Sequence, residues 1–251
     1  MTTAHAAEYD HIGDRYSEAK TAPFRVHLEA HTLEKLAGDV RGARVLDLAC
    51  GDGFYGRRLM RLGAAETVGV DASIEMVALG RRAEAREPLG CRYVHADVNH
   101  VGRIGQFDLV VAAYLLNYAS SRDELRRLCA AVVRNLRSGG RVVGVNDHTV
   151  DGASGTRDFA AHHFRKTGPE PYCEGSPITY EFLLPEGRSF AITNYYWRPE
   201  TYAEELQAAG LRDVAWHRFE LSPEGARSLP RGHFADLLEA APLAAFVAHK
   251  P

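Results

Sequence analysis

The stretch Arg44-Val45-Leu46-Asp47-Leu48-Ala49-Cys50-Gly51-Asp52-Gly53 constrains the fold more than any other part of the chain. A short apolar run ending in closely spaced glycines reads as a buried strand entering a tight turn. A helix is expected over 54–62, with Gly63 as its stop. The alternation then continues. Thr67-Val68-Gly69-Val70 is a second strand ending at Asp71, and Ser73 is placed to cap a helix carrying Met76, Val77 and Leu79. Further strands are expected over 91–95, 107–112 and 141–145, with a helix carrying Leu125, Leu128, Val132, Val133 and Leu136 before Gly139-Gly140. Strands alternating with helices over 44–146 imply an α/β fold, a Rossmann-like, doubly wound, mostly parallel sheet.

The flanking regions break this rhythm. Residues 1–40 have no strand-like run and read as a helical lid, with Tyr9, Ile12, Tyr16, Phe24 and Leu28 among its apolar contacts. Residues 147–197 are rich in Gly, Pro, His, Tyr and Phe and read as an inserted substrate cap with one or two antiparallel strands, over 179–184 and 189–197. A helix is expected over 199–209, with Gly210 as its stop, and strands near 213–221 and 244–249 close the chain. The expected organisation is one domain over 1–251: a lid over 1–40, a cofactor-binding half over 41–146, the cap over 147–197 and a closing part over 198–251.

Composition narrows the function classes. With 30 Lys+Arg against 33 Asp+Glu, the net charge of -3 argues against a nucleic-acid binder acting through its overall field. No apolar stretch approaches the roughly 20 residues that span a bilayer. MTTAHAAEYD has neither a basic nor an apolar signal region, so a cytoplasmic protein with no membrane partner is expected. Cys50, Cys91, Cys129 and Cys173 are far apart, without zinc-site or disulfide-framework spacing. His162 and His163 are adjacent, but neighbouring side chains diverge and no third ligand is evident, so no metal is expected.

Gly51, Gly53 and Gly56 form G-x-G-x-x-G between a strand and a helix, and Asp71 lies 20 residues after Gly51. That spacing fits a dinucleotide site, so a nicotinamide oxidoreductase is a competing reading. Charge separates the alternatives. A pyrophosphate favours backbone N–H groups and a helix N-terminus with no carboxylate facing it. Here Asp47 precedes the loop, Asp52 lies within it, and Asp97 follows the third strand. Carboxylates suit a cofactor with a cationic amine and a sulfonium, and Asp97 suits an adenine amino group.

Val45 to Gly53 resembles the first motif of class I S-adenosylmethionine-dependent methyltransferases. Val70-Asp71-Ala72-Ser73 with Met76 resembles the second, Ala96-Asp97-Val98 the third, Phe107-Asp108-Leu109-Val110 the fourth strand, and Leu136-Arg137-Ser138-Gly139-Gly140 the turn before the fifth. The resemblance implies a seven-stranded sheet and S-adenosyl-L-methionine as cofactor, with S-adenosyl-L-homocysteine as product. It also implies roles. Ala49 and Gly51, with Gly53 in the same loop, would meet the methionine part, and Asp71 would accept from the ribose hydroxyls. Ala72 and Met76 would lie against adenine, Asp97 and Val98 at its edge, and Ala113 at the sulfonium; Asp47 would hold the loop or a water behind it. Tyr9-Asp10-His11-Ile12-Gly13, Ala113 to Ala119 and Trp197 to Tyr202 are similar to the toxoflavin-biosynthesis N-methyltransferase group, which methylates small nitrogen heterocycles.

Methyl transfer is an in-line displacement in which position alone contributes much of the acceleration. A ring nitrogen or electron-rich carbon, as in an indole, needs no strong base, whereas a hydroxyl acceptor does. The candidates for catalysis are His148, Tyr9 and Tyr16, with His148 the base candidate because its pKa suits a proton acceptor near neutrality. Tyr16 and Arg25 are further cofactor candidates, Arg25 as partner of the methionine carboxylate. Tyr9, Asn117, Tyr118, His148, Tyr195 and Tyr196 are candidates for the substrate; the last two stand in the densest aromatic run. The expected activity is methylation of a small aromatic nitrogen heterocycle in specialised metabolism, by a monomer or homodimer. A small-molecule O-methyltransferase, a nicotinamide oxidoreductase and a catalytically silent binding module are the alternatives.

Overall fold

The computed structural model describes residues 4–148 and 157–251. Its centre is β1 (Arg44–Leu48), in which every residue after Arg44 is buried. Such a strand needs neighbours on both edges and cover on both faces. It pairs in parallel with β2 (Glu66–Asp71) on one side and β4 (Phe107–Ala113) on the other. β3 (Cys91–His95) extends the sheet beyond β2, and β5 (Leu136–Asp147) pairs in parallel with β4. An antiparallel pair, β11 (Leu243–His249) and β10 (Arg212–His217), completes a seven-stranded sheet of order β10-β11-β5-β4-β1-β2-β3.

Helices cover both faces. Val45, Val111 and Val143 pack with Leu28 and with Leu33 of α2 (His31–Ala37) and Leu59 of α3 (Phe54–Arg61). Leu46, Val110 and Val142 pack with Leu125, Leu128 and Val132 of α5 (Arg122–Asn135) and with Tyr202 and Leu206 of α6 (Pro199–Ala208). α4 (Ile74–Arg86) begins where Ser73 predicts: its side chain accepts the Met76 N–H at 3.2 Å, a cap whose removal costs about 1 kcal/mol.

The lid consists of α1 (Ala4–Ala19) and a π-helical turn (Arg25–Ala30) that runs into α2. Asp10 fixes α1 to α4 by accepting from Ser73 Oγ at 2.6 Å and from the Glu75 N–H at 3.3 Å. The cap is more regular than the sequence suggests. Among its described residues it has four strands in place of one or two, β6 (Arg157–Phe159), β7 (Phe164–Thr167), β8 (Pro177–Leu183) and β9 (Ser189–Tyr195), all antiparallel. Ile178, Tyr180 and Phe182 on β8 and Phe190, Ile192 and Asn194 on β9 share the buried face, as a period of two requires. Short helices α7 (Pro223–Ser228) and α8 (Ala235–Ala240) occupy a stretch with no strong periodic signal. β5 starts earlier than expected, at Leu136, and the glycine turn survives inside it as a register shift against β4, with Gly139 at φ 73°. Among the described residues no helix is long and apolar enough to cross a membrane.

Candidate active site

The connections leaving β1 and β4 go to opposite faces, so a crevice opens at the carboxyl ends of these neighbouring strands. Both chains turn away through residues with positive φ, Ala49 at 56° and Tyr114 at 63°. Such angles are strained for side chains other than glycine and concentrate at functional sites. A crevice lies there, open to solvent and lined by Ala49, Gly51, Asp71, Ala72, Asp97 and Val98 from the sheet edge, with Tyr9 and Tyr16 from the lid above. Ala113, Tyr114 and Tyr118 line its inner end.

Asp71 is the electrostatic centre. Its Oδ2 accepts the Gly51 N–H at 2.8 Å and its Oδ1 the Ser73 N–H at 2.9 Å, while burial pushes its carboxyl above the usual range. A β-carbon on Gly51 would meet Tyr16 at 3.7 Å and Met76 Sδ at 4.0 Å, ordinary contacts, so what calls for glycine there is its φ of 56°. Gly53 is required for another reason. It caps α3 at φ 87°, and a β-carbon there would collide with the Tyr93 ring. Asp97 accepts the Asn99 N–H at 2.9 Å and pairs with His100 at 3.0 Å. Glu124, which also lines the cavity, accepts from Asn99 Nδ2 at 3.2 Å. Carboxylates and apolar walls at the loop suit an uncharged adenosine with a cationic tail; they do not suit a pyrophosphate.

Tyr9 and Tyr118 join lid to crevice by a hydrogen bond between their hydroxyls, and Tyr16 stands edge-on to Tyr9 at 5.0 Å. Burial raises the pKa of both Tyr9 and Tyr118, so both remain neutral phenols at pH 7 and neither is a base.

A second, narrow pocket lies between lid and cap and shares Tyr16, Tyr114 and Tyr118 with the first. Phe24, Phe164, Tyr180, Phe182 and Ile192 make its walls. Besides the tyrosine hydroxyls, its polar groups are Arg25 and Asn194. Arg25 pairs at 3.2 Å with Glu29, a fully buried carboxylate that also accepts from the hydroxyls of Tyr55 and Tyr114. Behind the wall, Asp147 accepts from Tyr180 Oη and pairs with Lys166, each at 2.5 Å.

Several expected site residues lie elsewhere. Arg25 does not face the cofactor cavity, because Glu29 four residues on turns it toward the cap. Lys20 lines neither cavity but is buried behind their shared wall, with its ammonium 5.1 Å from the Tyr16 ring and 5.5 Å from the Tyr114 ring. Asp47 is buried beneath the loop, where it accepts the Gly56 N–H at 3.1 Å; desolvation pushes its pKa up to about 7. Met76 sits behind Gly51, in the core. Asn117 is fully buried and holds the Asp147 N–H at 3.3 Å, a structural task.

His148 lines neither cavity; its ring packs 5.2 Å from Trp216, and burial lowers its pKa. Tyr195 lies on the face of β9 opposite Ile192 and Asn194, and Tyr196 stacks on Tyr172 at 5.1 Å, so the aromatic run supplies cap packing while Asn194 turns inward. The sequence reading missed Asp10, Lys20, Glu29, Tyr114 and Asn194. Alternation along β9 was the available signal for Asn194, since it follows Phe190 and Ile192 on one face.

Residues 45–140 match the methyltransferase domain family. The chain is 26% identical over 193 residues to the N-demethylindolmycin N-methyltransferase of Streptomyces griseus, covering 76% of this chain and 77% of that protein. It is 26% identical over 153 residues to the ubiquinone biosynthesis O-methyltransferase of Bordetella avium, covering 53% of this chain and 63% of that protein. Among solved structures, the CcbJ methyltransferase from Streptomyces caelestis superposes with a TM-score of 0.71 at 17% identity, over 100% of this chain and 99% of that one. The architecture is that of the class I methyltransferase fold. With the domain match and the site at its sheet edge, the chain is an S-adenosylmethionine-dependent methyltransferase.

Proposed function

We propose that the enzyme methylates a small aromatic nitrogen heterocycle of specialised metabolism, at a ring nitrogen or an electron-rich carbon, and that it works by position without a strong base. The observation that carries this is the second cavity: a pocket walled by aromatic rings that shares Tyr16, Tyr114 and Tyr118 with the cofactor crevice. When bound, S-adenosylmethionine supplies an electrophilic methyl group on a sulfonium. Asp71 would accept from its ribose hydroxyls, Asp97 would meet the adenine edge, and Lys20 would take the methionine carboxylate.

The lid and cap do the rest. Tyr16 and Tyr118 form the wall between the cavities and fix the direction of approach, and the rings of the cap favour a planar guest whose charge becomes positive as it is methylated. Among the described residues lining either cavity there is no histidine, and the tyrosines Tyr9, Tyr114, Tyr118 and Tyr180 are held protonated by burial. A phenolic acceptor would find neither an imidazole nor a phenolate base on these walls. The likeness to the indolmycin-pathway enzyme supports this reading, and that to the ubiquinone-pathway enzyme favours oxygen transfer as the second reading. Methyl-labelled S-adenosylmethionine offered with indoles, quinolones and catechols separates them. Label in the nitrogen heterocycles supports the proposal; label confined to catechols overturns it.

A further inference from the structure

The walls of the second cavity are mostly aromatic rings, and apart from four tyrosine hydroxyls their polar side chains are Arg25 and Asn194, which makes these two informative. Arg25 is 3% exposed and Asn194 1%. The Arg25 guanidinium lies 5.0 Å from the Phe182 ring and 5.4 Å from that of Tyr114, and its Nη1 is engaged by Glu29. Its Nε has no hydrogen-bond partner. Asn194 Oδ1 has none either. Buried polar groups in folded proteins are normally paired, so two orphans on one pocket mark groups that a guest completes.

We propose that Arg25 and Asn194 together select an uncharged substrate whose edge carries a carbonyl beside an N–H, a lactam or amide edge on a planar ring. Arg25 Nε–H donates to the carbonyl, and Asn194 Oδ1 accepts from the N–H. The inference rests on the heterocycle reading above and deepens it. Neutrality follows from the pairing of the nearby charges. Glu29 neutralises Arg25, and Asp147 neutralises Lys166 behind Tyr180, so the cavity offers dipoles in an aromatic slot and leaves no net positive charge for a carboxylate. Apolar rings alone would not discriminate between guests that differ in one polar atom, whereas unpaired buried groups do.

Three probes of one shape test this by calorimetry, each against the full-length enzyme saturated with S-adenosylhomocysteine: 2-quinolone, which has both groups; quinoline, which lacks the carbonyl and the N–H; and quinoline-2-carboxylate, which is anionic. The expected order in the unmodified protein is 2-quinolone tightest, by at least tenfold over quinoline. The Asn194→Leu variant, which removes the acceptor while keeping the volume, should lose at least tenfold for 2-quinolone and hold quinoline as well as before, with S-adenosylhomocysteine affinity unchanged. Equal binding of quinolone and quinoline, or tightest binding of the carboxylate, overturns the inference even if the variant does not fold, because both comparisons use the unmodified protein. Failure of S-adenosylhomocysteine itself to bind would instead count against the methyltransferase reading.

Discussion

The Asp71 carboxylate and the Gly51 backbone N–H lie 2.8 Å apart, so the acid at the end of β2 holds the loop after β1 as well as facing the cavity. One side chain therefore sets both the shape of the cofactor crevice and its charge. Asp71→Ala should weaken S-adenosylhomocysteine binding at least tenfold, about 1.4 kcal/mol, by calorimetry. Asp71→Asn should lose less, since its amide oxygen still accepts one hydrogen bond. Unchanged affinity in Asp71→Ala would remove Asp71 from the site.

Lys20 rather than Arg25 is expected to meet the methionine carboxylate. Lys20→Met should weaken S-adenosylhomocysteine by about tenfold, again about 1.4 kcal/mol. It should leave 5′-methylthioadenosine, which has no amino-acid part, bound as before. A parallel loss for both ligands would mean that Lys20 supports the lid and touches no carboxylate.

Asp47 makes stability depend on pH. Its folded pKa of about 7 lies above the ordinary carboxylate value of 3.8, so the folded state holds a proton that the unfolded chain releases between these values. The stabilisation is fully present below the unfolded pKa and is lost as pH rises through about 7. Stability changes by about 1.4 kcal/mol for each pH step between the two pKa values, so a few kcal/mol are at stake. Asp47→Asn keeps an acceptor for Gly56 without the titration. Its Tm should match the unmodified protein near pH 4 and exceed it near pH 8. Parallel Tm profiles would show that Asp47 is ionised throughout.

His148→Ala should change kcat less than tenfold. The unmodified enzyme should also show no acid-side decline attributable to this imidazole, whose pKa burial lowers from the usual histidine value. A kcat loss of about 10² or more together with such a decline would restore His148 as a general base.

What the sequence made legible was local. The strand, glycine loop, Asp71 and the Ser73 cap depend on residues close along the chain, and their spacing identifies them. Arg25 misled because its partner Glu29 is only four residues away; such a pair usually lies on an exposed helix face, and nothing local tells that both are buried between lid and sheet. Tyr195 and Tyr196 are misleading because a dense aromatic run resembles a pocket wall, whereas strand parity turns Tyr195 to the face of β9 opposite Asn194. His148 follows β5 at the correct edge of the sheet, yet its ring is set by Trp216, a contact between distant parts of the chain that no spacing rule captures.

The Asp147 carboxylate, at the end of a core strand, is the anchor for Lys166 and Tyr180 of the cap. The seam between the central sheet and the cap sheet therefore does not coincide with a gap in the chain. Anyone exchanging this cap for that of another methyltransferase would transplant Lys166 and Tyr180 away from the acid they were built around. The resulting hybrid would keep a buried carboxylate with no counter-charge. A workable graft has to begin upstream of Asp147, inside β5, and so borrow the last residues of the sheet along with the pocket.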